Sequence, residues 1–249
     1  SLECERAAEI VEWFEAHGME VGSIDLGGGL GVDYDEPDEN PVPDFEKWFS
    51  IIDRKLRRRP EQSVSIEPGR SMVAQCGSLI TRVLFVKSGE TKTFLIMDAG
   101  MNDLIRPALY GAYHKIENLS AYYVSKSSSD EMKNIEISKS SSDDRPGPGI
   151  CESKYVEDAK AARSVRVWDR VPMKNNDIVN CSQRERLYDI VGPVCESSDV
   201  WGEGRELPYS KRGDLLAIRS TGAYGSVMSS RYNLRDLAPA VFSDDLKLK

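Results

Sequence analysis

Helical and strand patterns alternate through the first 70 residues, and this alternation constrains the fold more than any other feature. Helical periodicity over residues 4–17 rests on four apolar side chains: Ala7, Ile10, Val11 and Phe14. A short apolar strand follows at 21–26, then a second amphipathic helix capped by Asp44, and another strand at 63–67. Strands separated by helices pair in parallel, so the order predicts a parallel sheet or a β/α barrel.

From about residue 76 the pattern changes to strands. Two β-rich runs at 79–86 and 93–97 flank the turn signal Lys-Ser-Gly-Glu, which predicts a hairpin. Three later strands are predicted at residues 189–194, 214–219 and 222–227. We therefore expect an α/β plus all-β chain. The C-terminal part of a β/α barrel would occupy residues 1–75, and a β-rich domain, barrel-like or sandwich-like, would occupy residues 76–249.

A polar stretch interrupts the second region. The sequence Ser-Lys-Ser-Ser-Ser-Asp occurs at 125–130 and again at 138–143, and a run rich in Pro and Gly follows. Such a stretch buries too little apolar surface to offset the entropy lost on ordering. We expect residues 119–187 to form an atypical, mobile surface segment within the β domain. A phosphorylated tether or a docking segment is the functional alternative.

Composition excludes several classes of function. The chain carries 33 Lys plus Arg and 41 Asp plus Glu, a formal net charge of −8, which argues against binding to nucleic acid. No apolar run approaches the roughly 18 residues of a membrane span. The cysteines lack paired spacing, which favours a reducing cytoplasm, and two histidines are too few for a His-rich metal site. We therefore expect a cytoplasmic protein with no nucleic-acid partner, no membrane contact and no metal.

Two turns at the ends of the first two strands carry candidate chemistry. The first strand runs into Gly-Gly-Gly-Leu-Gly at 27–31, where backbone N–H groups can surround an anion. Its glycine spacing fits neither a Walker loop nor a dinucleotide fingerprint. The second strand ends in Glu-Pro-Gly-Arg at 67–70. Because ligands of β/α barrels lie at the carboxyl ends of the strands, the two turns together predict a site for a phosphate-containing ligand.

Three further segments complete a recognisable set. They are Asp-Ala-Gly-Met-Asn-Asp-Leu-Ile-Arg-Pro-Ala-Leu-Tyr at 98–110, Gly-Pro-Val-Cys-Glu-Ser-Ser-Asp at 192–199 and Gly-Ala-Tyr-Gly at 222–225. By itself the cysteine beside a glutamate is either a thiol acid–base group or an inert structural residue. In this order, the five segments resemble those of the diaminopimelate decarboxylase family, which belongs to the alanine-racemase-like, fold type III enzymes that use pyridoxal 5'-phosphate (PLP). The resemblance covers residues 1–118 and 188–235.

The resemblance implies PLP as the cofactor and assigns residues to it. The expected cofactor-binding residues are Gly28, Gly29, Glu67, Pro68, Gly69, Arg70 and Tyr224. Glu67 is expected to face the pyridine nitrogen and to keep it protonated, so that the ring accepts the electrons left when CO₂ departs. Tyr224 is expected to contact both cofactor and substrate.

The same resemblance implies the residues that act on an amino-acid substrate. The expected substrate-binding residues are Arg70, Arg106, Tyr110, Glu196 and Tyr224. The first three would hold the distal carboxylate, a task that suits the planar fork of arginine, and Glu196 would receive the distal amine. Cys195 is the expected catalytic residue and would donate a proton to the carbanion. In this family Cys195 and Glu196 would act in the neighbouring subunit's site, which implies a homodimer with shared active sites.

The chain also departs from the family pattern. The family's Schiff-base lysine stands in a Tyr-Ala-x-Lys-Ala setting, and no lysine of this chain has those neighbours. We therefore expect the chain to be a C-terminal fragment that is incomplete for catalysis by itself. Residues 119–187 are expected to leave the family path. Within them, Cys151 and Glu152 echo the later Cys-Glu pair and are an alternative catalytic pair.

The expected function is PLP-dependent decarboxylation of meso-diaminopimelate to L-lysine, a carbon–carbon lyase reaction of lysine biosynthesis. The nearest alternative is a decarboxylase of ornithine or arginine. Those relatives generally pair the cysteine with Asp, whereas this chain has Cys-Glu-Ser, and ornithine has no distal carboxylate for two arginines to bind. A non-catalytic regulatory relative and a simple phosphate-binding module are alternatives of a different class.

Overall fold

The first part of the chain folds as two helices and two paired strands. The structure, a computed structural model, describes residues 2–121 and 185–243. The elements of this part, in chain order, are α1 (Leu2–Ala16), β1 (Ser23–Asp25), α2 (Phe45–Lys55) and β2 (Ser63–Ser65). Strands β1 and β2 pair in parallel, with Ile24 opposite Val64. The predicted order of helices and strands is confirmed, and so is the parallel pairing of the two strands.

A side-chain cap sets the start of α2, whereas packing sets the buried face of α1. The carboxylate of Asp44 accepts a hydrogen bond from the backbone N–H of Lys47 at 2.8 Å, which caps the first turn of α2 as predicted. Helix α1 buries Cys4, Ala8 and Val11. Of the predicted stripe, Val11 is buried and Ala7 packs against the same cluster, but Ile10 and Phe14 are exposed, so half of the stripe is wrong. Neighbouring apolar stripes of a helix differ by a small rotation, and docking decides between them.

A six-stranded sheet forms the rest of the described chain. Its elements are α3 (Gly69–Val73), β3 (Leu79–Ser88), β4 (Thr93–Met97), α4 (Arg106–Tyr110), β5 (Ile116–Asn118), β6 (Glu185–Val191), β7 (Val200–Pro208) and β8 (Leu215–Ile218). The strand order is β5-β8-β3-β4-β6-β7. Strands β4 and β6 pair in parallel and the other neighbours are antiparallel. Strands β5 and β7 at the two ends also contact each other, so the sheet nearly closes.

Two separate hydrophobic clusters hold these parts. The cluster around the short parallel sheet consists of Cys4, Val11, Ile24, Leu26, Ile52 and Leu56. The cluster inside the six-stranded sheet is larger and consists of Val83, Leu95, Met97, Ala99, Leu104, Tyr188, Ile190, Trp201, Leu207, Leu216 and Ile218. Most of the apolar burial in the described chain therefore lies in the sheet. The predicted domain limits, 1–75 and 76–249, stay a prediction.

Some strand predictions hold and others do not. The β3–β4 hairpin and β8 lie where they were predicted, but residues 222–227 form a turn and a 3-10 helix instead of a strand. Tyr224 has a left-handed backbone with φ of 60°, which a strand does not accommodate. Strand β7 was not predicted, because its glycines and charged residues weaken the apolar alternation. Residues 122–184 of the predicted atypical segment, 119–187, lie outside the described part of the chain, and its last three residues begin β6.

Candidate active site

The two strand-end turns lie side by side. The N–H of Leu26 donates to the carbonyl oxygen of Ser65 at 3.1 Å, and the N–H of Glu67 donates to the carbonyl oxygen of Gly27 at 2.6 Å. A Cβ atom added to Gly28 would overlap the carbonyl oxygen of Glu67. Only glycine allows so close an approach. The predicted meeting of these turns at the carboxyl ends of neighbouring parallel strands is confirmed.

The glycine turn leaves backbone donors free. Gly27 and Gly29 have φ of 69° and 97°, a left-handed backbone that favours glycine. The backbone N–H groups of Gly28 and Gly29 donate to no acceptor within residues 2–121 and 185–243. The side chain of Glu67 is exposed and forms no ion pair with a described residue. The arrangement offers amide donors for an anion beside a free carboxylate.

A turn that follows β8 brings Tyr224 to the second of these turns. The N–H of Thr221 donates to the carbonyl oxygen of Gly77 at 2.9 Å, and that of Gly222 donates to the carbonyl oxygen of Ala74 at 3.0 Å. These bonds fix the turn against the end of α3. The Arg70 guanidinium carbon then lies 5.8 Å from the centroid of the Tyr224 ring, a cation–π distance. The structure thus brings these two predicted site residues together.

Arg106 begins α4 and is buried. Its Nη1 donates to the Tyr34 hydroxyl at 3.0 Å and lies 2.9 Å from Nε2 of His114. No carboxylate among the described residues lies within ion-pair distance of its guanidinium. A buried cation without a counter-charge is costly, so its position is typical of a site that receives an anionic ligand group.

The protonation of His114 follows from its contacts. Its Nδ1 lies 2.9 Å from the carbonyl oxygen of Arg219, which can only accept. Nδ1 therefore carries the proton, and Nε2 accepts from Arg106. Burial lowers the pKa of His114, the carbonyl of Arg219 raises it, and the charge of Arg106 lowers it further, with a net lowering. The imidazole is therefore neutral near pH 7.

Tyr110 lies one turn after Arg106 on α4 and is exposed. No hydrogen bond, ring contact or ion pair joins its side chain to Arg70 or Arg106 within the described ranges. Residues one turn apart share a helix face, so the two side chains of α4 can still approach one ligand. The predicted role of Tyr110 stays a prediction.

The loop between β6 and β7 carries Cys195 and Glu196, both exposed. Asp199 fixes this loop, because its carboxylate accepts from the N–H of Val194 at 2.8 Å and from that of Met101 at 2.7 Å. Burial raises the pKa of Asp199 despite these two bonds and the nearby charge of Arg235, which lower it; Asp103 adds a smaller upward effect.

Beyond that anchor, the side chain of Glu196 has a partner near the C-terminal end of the described chain. The Tyr232 hydroxyl donates to Oε1 of Glu196 at 2.5 Å. No hydrogen bond, ion pair or ring contact between described residues joins Cys195 or Glu196 to Gly28, Glu67 or Arg70.

Three residues of this arrangement were not found from the sequence: Tyr34, His114 and Asp199. Tyr34 contacts an arginine 72 positions away, and His114 contacts a carbonyl 105 positions away. Spacing along the chain carries no signal for such pairs. The alternative pair Cys151 and Glu152 lies outside the described residues.

Comparison with known families agrees with this geometry. Residues 24–144 and 155–222 match the pyridoxal-dependent decarboxylases, in the part described as the C-terminal sheet domain. The chain belongs to this family. The family match includes residues 119–144 and 155–187, so the prediction that residues 119–187 leave the family path is wrong outside 145–154. Residues 1–23 and 223–235, which the sequence resemblance covered, lie outside the match. The predicted family, its dependence on a pyridoxal cofactor and the predicted fold class are confirmed.

Individual family members are similar over nearly all of the chain. A diaminopimelate decarboxylase of Bacteroides thetaiotaomicron is 40% identical over 98% of this chain and 47% of its own length. One from Neisseria meningitidis serogroup A is 36% identical over 97% of this chain and 44% of its own length. The crystal structure of the Helicobacter pylori diaminopimelate decarboxylase complexed with L-lysine is 30% identical, with a TM-score of 0.59 over 94% of this chain and 43% of that one. The chain thus spans about half the length of these relatives.

Membrane-spanning helices and metal-binding groups are both absent from residues 2–121 and 185–243. No helix among them is both long and apolar enough to cross a membrane. In the same ranges, no three His, Cys, Asp or Glu side chains are grouped so as to hold a metal ion.

Proposed function

We propose that the protein catalyses the PLP-dependent decarboxylation of meso-diaminopimelate to L-lysine, a carbon–carbon lyase reaction of lysine biosynthesis. The observation that carries the proposal is the contact between the glycine turn and the Glu67–Arg70 turn, with Tyr224 beside them. Relatives named as diaminopimelate decarboxylases support the choice of reaction.

The residues present fit a phosphorylated pyridine. The free N–H groups of Gly28 and Gly29 suit phosphate oxygens, and Gly28 has no side chain that would separate the two turns. Pro68 and Gly69 complete the second turn, and Glu67 would hold the proton of the pyridine nitrogen through its carboxylate. When bound, PLP supplies an acceptor for the electron pair that the departing carboxylate leaves behind.

The buried guanidinium of Arg106 favours a substrate with a second carboxylate. Its positive charge has no carboxylate partner among the described residues, and a distal carboxylate of the substrate would neutralise it. Arg70 and Tyr110 would complete this clamp. Ornithine and arginine have no distal carboxylate, so either would leave a buried cation unpaired. The unpaired charge of Arg106 therefore favours meso-diaminopimelate over both alternatives.

We further propose a cytoplasmic homodimer with shared active sites. Cys195 and Glu196 are exposed, and among the described residues they form no hydrogen bond, ion pair or ring contact with the cradle, the turns of Gly28, Glu67 and Arg70. In a dimer, Cys195 would protonate the carbon that has lost CO₂ in the partner's site, and Glu196 would receive the distal amine there. Small-molecule substrate, cofactor and a second copy are the partners of this proposal, without nucleic acid or membrane.

Release of CO₂ tests the function directly. The full gene product, with any residues encoded before or after this chain, is supplied with PLP and assayed with meso-diaminopimelate, L-lysine, L-ornithine and L-arginine in parallel. We expect turnover of the first alone. Preferred turnover of ornithine or arginine would replace the substrate assignment. A protein that binds no PLP and releases no CO₂ from any of them would instead be a non-catalytic relative.

A further inference from the structure

We propose that His114 and Tyr34 are positioning residues that orient Arg106, so that one particular edge of its guanidinium faces the substrate's distal carboxylate. The inference rests on the proposed function, in which Arg106 binds that carboxylate. It concerns two side chains that would not touch the substrate and would act only through the arginine.

The geometry accounts for both protons of one nitrogen. Nη1 of Arg106 carries two N–H bonds. One points to the Tyr34 hydroxyl at 3.0 Å and the other to Nε2 of His114 at 2.9 Å. The Arg106 guanidinium carbon also lies 5.3 Å from the centroid of the Tyr34 ring. Both protons of Nη1 therefore have acceptors, and these two bonds fix the orientation of the guanidinium plane.

The other nitrogens are left for a ligand. Nε and Nη2 of Arg106 donate to no described residue. Neither nitrogen is fully buried, so a ligand can reach both. A carboxylate bound by two parallel N–H···O bonds must therefore use the edge formed by Nε and Nη2. The edge formed by the two terminal nitrogens is closed to it.

Each positioning residue is itself fixed. The ring of His114 is held by the carbonyl oxygen of Arg219 and meets the Tyr34 ring edge-on, with 5.1 Å between centroids. The loop that carries Tyr34 is tied to the sheet by ion pairs of Glu36 with Lys115 and of Asp38 with Arg219. The two side chains therefore reach the arginine from different parts of the fold, and contacts outside the arginine hold each of them in place.

Neutral acceptors suit this task better than a carboxylate. An aspartate or glutamate beside Arg106 would hold the guanidinium equally well, but it would also neutralise the charge that the substrate needs. A neutral imidazole and a hydroxyl orient the group and leave the full positive charge for the ligand. The pair thus fixes direction without competing with the substrate.

Substitution of His114 tests the inference in the full gene product with PLP bound. His114→Leu removes the acceptor at Nε2, and His114→Gln restores an acceptor at about the same reach. We expect His114→Leu to raise KM for meso-diaminopimelate about tenfold, as for the loss of one hydrogen bond to a charged group, with kcat within about twofold. His114→Gln should recover most of this loss, and Tyr34→Phe should shift KM in the same direction as His114→Leu. The exposed His17, replaced as His17→Leu, is the matched control.

Two inhibitors separate orientation from general damage. L-Lysine keeps the carboxylate that does not react, whereas 1,5-diaminopentane has no carboxylate. His114→Leu should weaken inhibition by L-lysine as much as it raises KM, and should leave inhibition by 1,5-diaminopentane unchanged. Equal weakening of both would overturn the positioning role, as would a fall in kcat at constant KM.

The double variant gives the deciding measurement. In an Arg106→Leu background, His114→Leu should change neither KM nor L-lysine binding further, because it acts only through the arginine. Independent, multiplying effects would reject the inference while the proposed function stands. Calorimetric binding of L-lysine reads the same coupling without turnover. Wild-type protein that neither turns over meso-diaminopimelate nor binds L-lysine would reject the proposed function and the inference together.

Discussion

Gly28 and the carbonyl oxygen of Glu67 approach so closely that no side chain fits between them. This contact joins two turns that belong to neighbouring strands, and the N–H of Glu67 closes it with a bond to Gly27. A cradle for a phosphorylated ring depends on that distance, because the amide donors lie on one turn and the carboxylate on the other.

Gly28→Ala should therefore separate the two turns. The added methyl meets backbone rather than a flexible side chain, so the strand ends must move. We expect PLP affinity to fall at least tenfold, measured by cofactor absorbance during titration. Gly22→Ala is the matched control, because a Cβ at Gly22 meets no atom within 4 Å. Unchanged affinity in Gly28→Ala would remove the cradle from the proposal.

Cys195 supplies a test of the shared site. Cys195→Ala should lower kcat strongly and leave PLP absorbance near that of the wild type, since the exposed thiol forms no hydrogen bond with the cradle among the described residues. Glu67→Ala should be inactive because it removes the carboxylate that would hold the proton of the pyridine nitrogen.

Mixing these two variants tests the dimer. When inactive subunits exchange at equal amounts, half of the dimers are mixed and each mixed dimer holds one intact site, so about a quarter of wild-type activity should return. Activity measured before and after subunit exchange checks this. If both sites draw only on their own chain, mixing restores nothing.

Asp199 is expected to fix the loop that carries Cys195. Its carboxylate accepts two backbone N–H groups, and an amide can accept only with its oxygen. Asp199→Asn should leave one buried N–H of Val194 or Met101 without a good acceptor, at a cost of about 1–3 kcal/mol in the free energy of unfolding. Chemical denaturation measures that loss, and kcat should fall with it. The exposed Asp236, replaced as Asp236→Asn, should change neither quantity.

Acid should destabilise the protein through His114. Burial and the charge of Arg106 hold the pKa of His114 below its ordinary value, and the groups around it are Tyr34, the carbonyl of Arg219 and the adjacent Lys115. The unfolded chain therefore binds a proton at higher pH than the folded one. The stability from the neutral imidazole is complete above about pH 6.5 and is lost as the pH falls towards the lowered pKa.

Melting temperatures at intervals from pH 7.5 to 5 check this dependence. His114→Gln has no proton to gain, so its melting temperature should fall less than that of the wild type over this range. Parallel curves for the two proteins would contradict the assignment of His114 as the titrating group.

Much of the fold was available from local sequence. Period and capping predicted α2 from Asp44, a turn signal predicted the hairpin, and the order of elements predicted that β1 and β2 pair in parallel. Because parallel neighbours end at the same edge, the meeting of Gly28 with Glu67 followed as well. The helix cap and the hairpin depend on residues close together in the chain, whereas the parallel pairing and the meeting of the two turns follow from the order of the elements.

The tertiary structure decided the rest. Residues 222–227 were predicted as a strand, yet backbone bonds of Thr221 and Gly222 hold the chain in a turn that places Tyr224 over Arg70. A Cβ at Gly222 would overlap the carbonyl oxygen of Val73. The partners of Arg106 come from positions far apart in the sequence.

The sequence by itself thus determined α2, the parallel pair β1 and β2, the β3–β4 hairpin, the family pattern and the residue types of the candidate site. Packing between distant segments determined which face of α1 is buried and which edge of a guanidinium stays free, since neither leaves a period or spacing in the chain.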